Sequence, residues 1–311
     1  MIDLEHVTKL YGSVIGVNDI TLSLEQGAYG LLGPNGSGKS TLLNLITGQL
    51  GPTLGAVRVF GADPRNNAAV FRRIGVCPEQ DVLYSNVTGF DWVRYLLELH
   101  EMSHHEAGLR AGQALEQVGL GDAMHRHIGG YSQGMRQRTK LAQALAHQPE
   151  MLILDEPFNG LDPVGRHDMT VLLQEWVRAG KGLLMASHIL YEVEAITSSF
   201  LLICGGRLLA SGAAEEVRTL LADVPREIWI RCDGASQLAG RLVEAGMAEM
   251  VRFADGGSAL LVATRNPAAF YTRLPDWIGD SEIRIRELRS TDDSLQALFN
   301  SLLRIHRGQL P

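Results

Sequence analysis

Short apolar runs closed by glycine turns, alternating with stretches of helical period, organise most of this chain. At the N-terminus Ile2, Leu4 and His6, then Ile20, Leu22 and Leu24, recur at every second position. That alternation predicts antiparallel strands joined by turns at Gly12 and at Asn18-Asp19. Val57-Arg58-Val59-Phe60 and Ile74-Gly75-Val76 read as further strands. From about residue 87 to 146 the period changes, with Phe90 to His100 and Glu106 to Val118 carrying apolar residues at helical spacing. Unbroken apolar runs return at Met151 to Leu154, Gly182 to Ala186 and Phe200 to Ile203, with a helix from Val164 to Ala179 between the first two. Strands apolar on both faces, alternating with helices, predict a parallel α/β core.

Around Ala222 to Pro225 the pattern shifts again. Glu227 to Cys232 alternates as a strand, Gln237 to Ala245 suits a helix, and two strands flank the turn Asp255-Gly256-Gly257. Asn266-Pro267 opens another helix, Ile283 to Arg286 is a strand, and Asp292-Asp293 starts a final amphipathic helix carrying Leu295, Leu298, Phe299 and Leu302. The order β-α-β-β-α-β-α predicts a small α+β ferredoxin-like domain over 222–311, after a first domain at 1–221.

Composition narrows the setting. The 311 residues suffice for about two domains, and a formal charge of -7 gives no reason to expect nucleic acid as a partner. No run reaches the roughly 18 apolar residues that would span a bilayer. The N-terminus, with Asp3 and Glu5, lacks a signal-peptide core. Cys77, Cys204 and Cys232 are far apart and read as free thiols of a reducing compartment.

Gly33-Pro34-Asn35-Gly36-Ser37-Gly38-Lys39-Ser40-Thr41 is a complete G-x-x-x-x-G-K-[ST] phosphate loop between an apolar strand and an apolar helix. Such a turn leaves backbone N–H groups converging at the positive end of the helix dipole, so the ligand class is a nucleoside triphosphate. Lys39 is placed to reach the β- and γ-phosphates, Ser40 to give its hydroxyl to Mg²⁺, and Thr41 to contact the α-phosphate. Met151 to Asp155 is an apolar strand ending in a carboxylate suited to Mg²⁺ through its water shell. Glu156 follows, placed to orient or deprotonate a water in line with the γ-phosphate. Taken alone, this Asp-Glu pair is also compatible with a capped strand end.

With these motifs in order, the chain over about residues 2–220 resembles the ATP-binding subunit of ATP-binding cassette (ABC) transporters. Tyr131-Ser132-Gln133-Gly134-Met135 is similar to that family's signature, usually Leu-Ser-Gly-Gly-Gln, and its Gly-Met-Arg-Gln core resembles the drug, polysaccharide and lipid exporter branch. The resemblance implies an ABC-type P-loop fold with a β subdomain, a parallel α/β core and a helical subdomain at about 87–146. It also implies that Ser132, Gln133, Gly134 and Met135 complete an ATP site on a second subunit. Asn159-Gly160-Leu161-Asp162 resembles the subunit-communication loop, His188 the switch histidine that bonds the γ-phosphate, and Tyr11 the aromatic ring that stacks on adenine. The family's glutamine loop falls at Cys77-Pro78-Glu79-Gln80-Asp81, where the register set by Pro78 favours Glu79 over Gln80 near the metal.

The resemblance implies an ATPase that uses ATP and Mg²⁺, with Glu156, His188 and Lys39 as its catalytic groups. It implies a homodimer or a heterodimer with a second ATPase subunit, joined to a separate membrane permease at the cytoplasmic face of a prokaryotic membrane, and export as the function. The segment from Asp81 to His100, with Tyr84, Phe90, Trp92 and Tyr95, is the expected permease contact, although a plain helical core fits it equally. The alternative is a soluble ABC-type machine of translation or DNA repair; those show tandem cassettes or coiled-coil insertions, and neither pattern appears here.

Overall fold

The computed structural model describes residues 1–213, 216, 225–279 and 283–290. The chain divides into two units, Met1–Ala213 and Ala214–Pro311.

In the first unit, β1 (Ile2–Tyr11), β2 (Val14–Leu24) and β4 (Leu54–Val59) form an antiparallel sheet in the order β2-β1-β4. A second sheet contains β3 (Ala28–Leu32), β5 (Ile74–Cys77), β6 (Met151–Asp155), β7 (Gly182–Ser187), β8 (Ser199–Cys204) and β9 (Arg207–Ala213). Its order is β5-β6-β7-β3-β8-β9, parallel except for the β8-β9 hairpin. Every residue of β6 and β7 is buried, as strands covered on both faces require.

Between the sheets lies α1 (Lys39–Ile46). Its Leu42, Leu43, Leu45 and Ile46 share one core with Ile2, Leu4, Val7 and Val59 of the antiparallel sheet and Leu31, Ile153 and Leu184 of the parallel one. A helix anchored on both sides cannot shift without opening that core. Its first turn, which begins the phosphate loop's helix, is therefore fixed.

The short α2 (Ala68–Phe71) precedes β5, and the helical segment consists of α3 (Gly89–Leu99), α4 (His104–Gln117) and α5 (Gln133–Leu145). Thr88, Ser103 and Ser132 cap these three helices with side-chain oxygens. The segment joins the core where α5 crosses β5: a Cβ at Gly75 would stand 2.0 Å from the Ala144 carbonyl oxygen, so only glycine permits the approach. After β6 come α6 (Pro163–Arg178) and α7 (Leu190–Glu194).

One detail differs from the sequence expectation. Asn18-Asp19 is no turn, because β2 runs straight through it. Asp19 adopts φ 52 at an irregular register, its N–H donating to Thr8 Oγ1 at 2.9 Å, so a bulge absorbs the polar pair. The apolar run of β8 ends at Gly205-Gly206, which turn the chain back into β9, both glycines having positive φ.

The second unit is a four-stranded antiparallel sheet of β10 (Arg226–Asp233), β11 (Met250–Ala254), β12 (Ala259–Thr264) and β13 (Arg284–Ser290), in the order β11-β12-β10-β13. With the helices Ala235–Glu244 and Pro267–Gly279 between strands, this is the ferredoxin-like arrangement. Ile228, Ile230, Leu260 and Val262 pack against Leu238, Leu242 and Phe270 of those helices. Asn266 Oδ1 caps the second helix by accepting from the Ala269 N–H at 3.0 Å. The amphipathic segment after Asp292 lies outside the described residues.

At the end of α5, His147 Nε2 lies 2.9 Å from the Ile74 carbonyl oxygen and its ring stacks on His100. Burial pushes the His147 imidazole down from 6.5 to about 4, with His100 adding to the shift. The unfolded chain then binds the extra proton between those values, so stability is fully present above about pH 6.5 and falls as pH drops toward 4. Urea unfolding at pH 7 and pH 5 is expected to show a shallower loss for His147→Gln than for the wild type. An equal loss in both would contradict the assignment.

Candidate functional site

The parallel register sets Leu32 beside Ser187 and Asp155 beside Ala186, so β3, β6 and β7 end along one edge of the sheet. At that edge lies an open cavity of about 390 Å³ lined by Tyr11, Asn35 to Thr41, Glu79, Asp155 and Glu156, together with Val14, Ile15 and Gly16. It thus gathers residues from four separate stretches of sequence. A larger groove of about 500 Å³ lies elsewhere, beside β5 and α3, and is mainly apolar.

The phosphate loop is built for an anion. Gly38, the cap of α1, has φ 106 and no side chain to take the first N–H groups, and no acidic residue occupies the first turn. A Cβ at Gly38 would meet the Gly16 carbonyl oxygen at 2.4 Å, and one at Gly33 would meet Ser37 Oγ and the Ile203 carbonyl oxygen at 2.4 Å. Ser37 Oγ is buried without a hydrogen-bond partner in the structure. Lys39 is 6% exposed. Its Nζ donates to the Gly33 carbonyl at 2.8 Å and to that of Pro34 at 3.4 Å, and stands 3.7 Å from Glu156 Oε1. Tyr11 is half exposed at the cavity mouth, its hydroxyl 3.4 Å from Thr41 Oγ1.

Asp155 and Glu156 are both buried at the end of β6. Burial raises the Asp155 carboxyl above its usual range, with Glu79 and Glu156 adding to the rise and a hydrogen bond from Ser40 and the charge of Lys39 opposing it. Its Oδ1 is buried without a partner. An orphaned carboxylate oxygen beside a hydroxyl and a second carboxylate is a donor set of hard oxygens, which fits Mg²⁺. Glu79 lines the cavity, whereas the Gln80 side chain is not among its walls. Glu156 takes φ 48, a region few side chains other than glycine adopt, and its N–H donates to the Ala186 carbonyl at 2.9 Å. His188 Nδ1 lies 2.9 Å from Glu156 Oε2.

The other sequence-singled residues stand apart from the cavity. Ser132 Oγ accepts from the Met135 N–H at 3.2 Å, capping α5. Gln133 packs on Gly160, where a Cβ would meet its Cγ at 2.5 Å, and Gly134 lies against the Gly160 carbonyl. The signature stretch and the Asn159–Asp162 loop therefore touch within one chain, yet none of these residues lines the phosphate cavity. Asp162 Oδ1 caps α6 by accepting from the Gly165 N–H at 2.8 Å.

Lys140 was missed from sequence. Buried on α5, its Nζ donates to the carbonyls of Pro78 and Glu79, both at 2.9 Å, and to that of Gln80 at 3.4 Å. It thereby fixes the loop that carries Glu79. A lysine on the apolar face of a helix was the available signal.

Comparison with known proteins identifies the family. A family profile described as ABC transporter matches residues 17–159. The chain is 34% identical over 219 residues to the ABC transporter ATP-binding protein YxlF of Bacillus subtilis, covering 70% of this chain and 72% of that one. The chain belongs to the ABC transporter ATP-binding proteins. This ABC ATPase is also 33% identical to the linearmycin resistance ATP-binding protein LnrL of B. subtilis, over 70% of each chain. To the bacitracin transport ATP-binding protein BcrA of Enterococcus faecalis it is 38% identical, over 63% of this chain and 64% of that one. Among solved structures, the dimeric bacterial ABC transporter cassette MJ0796 superposes with a TM-score of 0.64 at 25% identity, covering 68% of this chain and 98% of that one.

Gly38→Ala combines left-handed strain with a backbone clash, so it is expected to weaken ATP binding by about tenfold or more, the equivalent of roughly 1.4 kcal/mol. Titration with a fluorescent ATP analogue checks this. Wild-type affinity would show that the loop does not cradle the phosphates as described.

Proposed function

We propose that this ABC ATPase energises a separate membrane permease for export, hydrolysing ATP at sites shared between two subunits. The observation that carries the hydrolytic part is Glu156, a buried carboxylate held beside Lys39 and the cavity in a backbone conformation that aims it there. Lys39 offers its ammonium to the β- and γ-phosphates in place of the Gly33 and Pro34 carbonyls. Glu156 accepts a hydrogen bond from the attacking water, orienting it in line. His188 donates from Nδ1 to Glu156 and, as the imidazolium, has its Nε2–H for a γ-phosphate oxygen and so reports the loss of that phosphate. Ser40, Asp155 and Glu79 would hold Mg²⁺, which would supply positive charge against the phosphates. Tyr11 at the mouth offers a ring face to adenine.

Ser132 to Met135 lie outside their own chain's cavity on a capped helix N-terminus, a geometry that serves a phosphate brought by another subunit. The contact between Gln133 and Gly160 supports Asn159–Asp162 as the path by which that second subunit acts on Glu156, since the Asn159 N–H donates to the Glu156 carbonyl at 3.2 Å.

Transport rests on the family and on the names of the relatives, which link resistance or transport to bacitracin and linearmycin. No helix among the described residues is long and apolar enough to cross a membrane. The expected contact segment needs revision at one residue. Trp92 is buried, donating from Nε1 to Gln143 Oε1 at 2.7 Å, and serves the helical core, whereas Tyr84 and Tyr95 are exposed. The apolar groove bordered by Ile74, Val76, Leu96 and Leu99 lies beside the strand that leads to Glu79, which suits a permease element that senses the nucleotide.

Purification of the full chain from detergent-solubilised membranes of its host is expected to retrieve an integral membrane protein; ribosomes or nucleic acid in its place would reject transport. In that complex Glu156→Gln is expected to lower kcat by about 100-fold or more with ATP binding retained. Glu79→Ala is expected to slow turnover more than Gln80→Ala.

A further inference from the structure

Behind Glu156 lies a second buried carboxylate that does not reach the nucleotide cavity. Ser187, the last residue of β7, stands between them, its Oγ 3.0 Å from Glu192 Oε2 and 3.5 Å from Glu156 Oε2. A hydroxyl has one proton to give, and the shorter contact directs it to Glu192. The other oxygen of Glu192 accepts from Arg166 Nη1. Arg166 Nε in turn donates to the carbonyl of Leu161, in the Asn159–Asp162 loop, at 3.3 Å. A continuous polar path thus runs from that loop through Arg166, Glu192 and Ser187 to Glu156.

Glu192 is 5% exposed, and burial pushes its carboxyl up while Ser187 and Arg166 hold it down. A buried charge is costly, and a staple between α6 and α7 would need only the oxygen that faces Arg166. The oxygen that faces Ser187 has a different consequence. While Ser187 donates to Glu192, the Glu156 carboxylate has only His188 and Lys39 beside it among the described residues, and more of its negative charge is left to attract a water.

We propose that Glu192 is a positioning residue for hydrolysis: it draws the Ser187 hydroxyl proton away from Glu156 and, through Arg166, ties the orientation of that carboxylate to the subunit-communication loop. The inference rests on the reading of Glu156 as the group that orients water. If Arg166 or the loop moves, Glu192 loosens its hold on Ser187, whose proton then turns to Glu156 and weakens that carboxylate as an acceptor for water.

Glu192→Gln tests this with packing nearly unchanged. Arg166 requires an acceptor, so the amide oxygen faces Arg166 and the NH₂ faces Ser187 Oγ, which must then donate to Glu156. In the full chain, kcat for ATP hydrolysis is expected to fall about tenfold, the effect of one charge-assisted hydrogen bond, with KM for ATP within about twofold. Adding Ser187→Ala removes the competing proton and is expected to restore kcat by about threefold or more. A staple alone would give a lower unfolding temperature and no recovery in the double variant, and that result overturns the proposal, as does wild-type kcat in Glu192→Gln. Glu156→Gln in the same assay separates the two levels. If it retains wild-type turnover, the reading of Glu156 fails; if it is inactive while Glu192→Gln is not impaired, only the role of Glu192 fails.

Discussion

The register of the parallel sheet is the constraint on which the site depends. Pairing Leu32 with Ser187 and Asp155 with Ala186 makes three strands end together, so loops from distant parts of the sequence leave one edge side by side. Slipping one strand by a residue would also turn its side chains to the opposite face. That edge collects Lys39 and the buried carboxylates Asp155 and Glu156. Placing such charges in a medium of low dielectric is unfavourable without a counter-charge or donor: Glu156 has Lys39 and His188, and Asp155 has the Ser40 hydroxyl while its Oδ1 is left without a partner. Because α1 is itself clamped between two sheets, the donors cannot drift away from the strand ends.

From this edge, polar contacts run outward in two directions. Lys140 on α5 grips three successive carbonyls of the loop that carries Glu79, so the signature helix and the Glu79 loop move as one piece. On the other side, Asn159–Asp162 packs on Gln133 and hydrogen-bonds toward Glu156. Chemistry at the phosphate and contacts far from it are thereby linked through named hydrogen bonds, a physical route for coupling turnover to a partner. The departure of Gln133 from the family's usual glycine is accommodated at Gly160, whose missing Cβ and φ 77 leave room for the longer side chain.

Contiguous features were legible in the sequence. The phosphate loop and the Asp155 strand end each lie within a few residues, where local rules suffice. The ferredoxin-like unit was legible as an order of elements, whereas the strand order of its sheet is set by pairing between distant segments. Features set by distant partners were hidden. Asn18-Asp19 looks like a turn, but Thr8 supplies the oxygen that lets a strand bulge there. Trp92 looks like a docking aromatic until Gln143 takes its N–H. The partners of Lys140 and Glu192 were hidden because the carbonyls, hydroxyl and guanidinium that satisfy them come from other segments.

The central claim is a site completed in trans, and mixing two inactive variants tests it most directly. Lys39→Ala disables a chain's own phosphate loop, and Ser132→Arg disables the signature it offers to its partner. Unfolding and co-refolding the two purified variants together forms mixed pairs in which one site keeps both an intact loop and an intact signature. ATPase activity well above that of either variant alone is the predicted result. No recovery in pairs verified as mixed would contradict it.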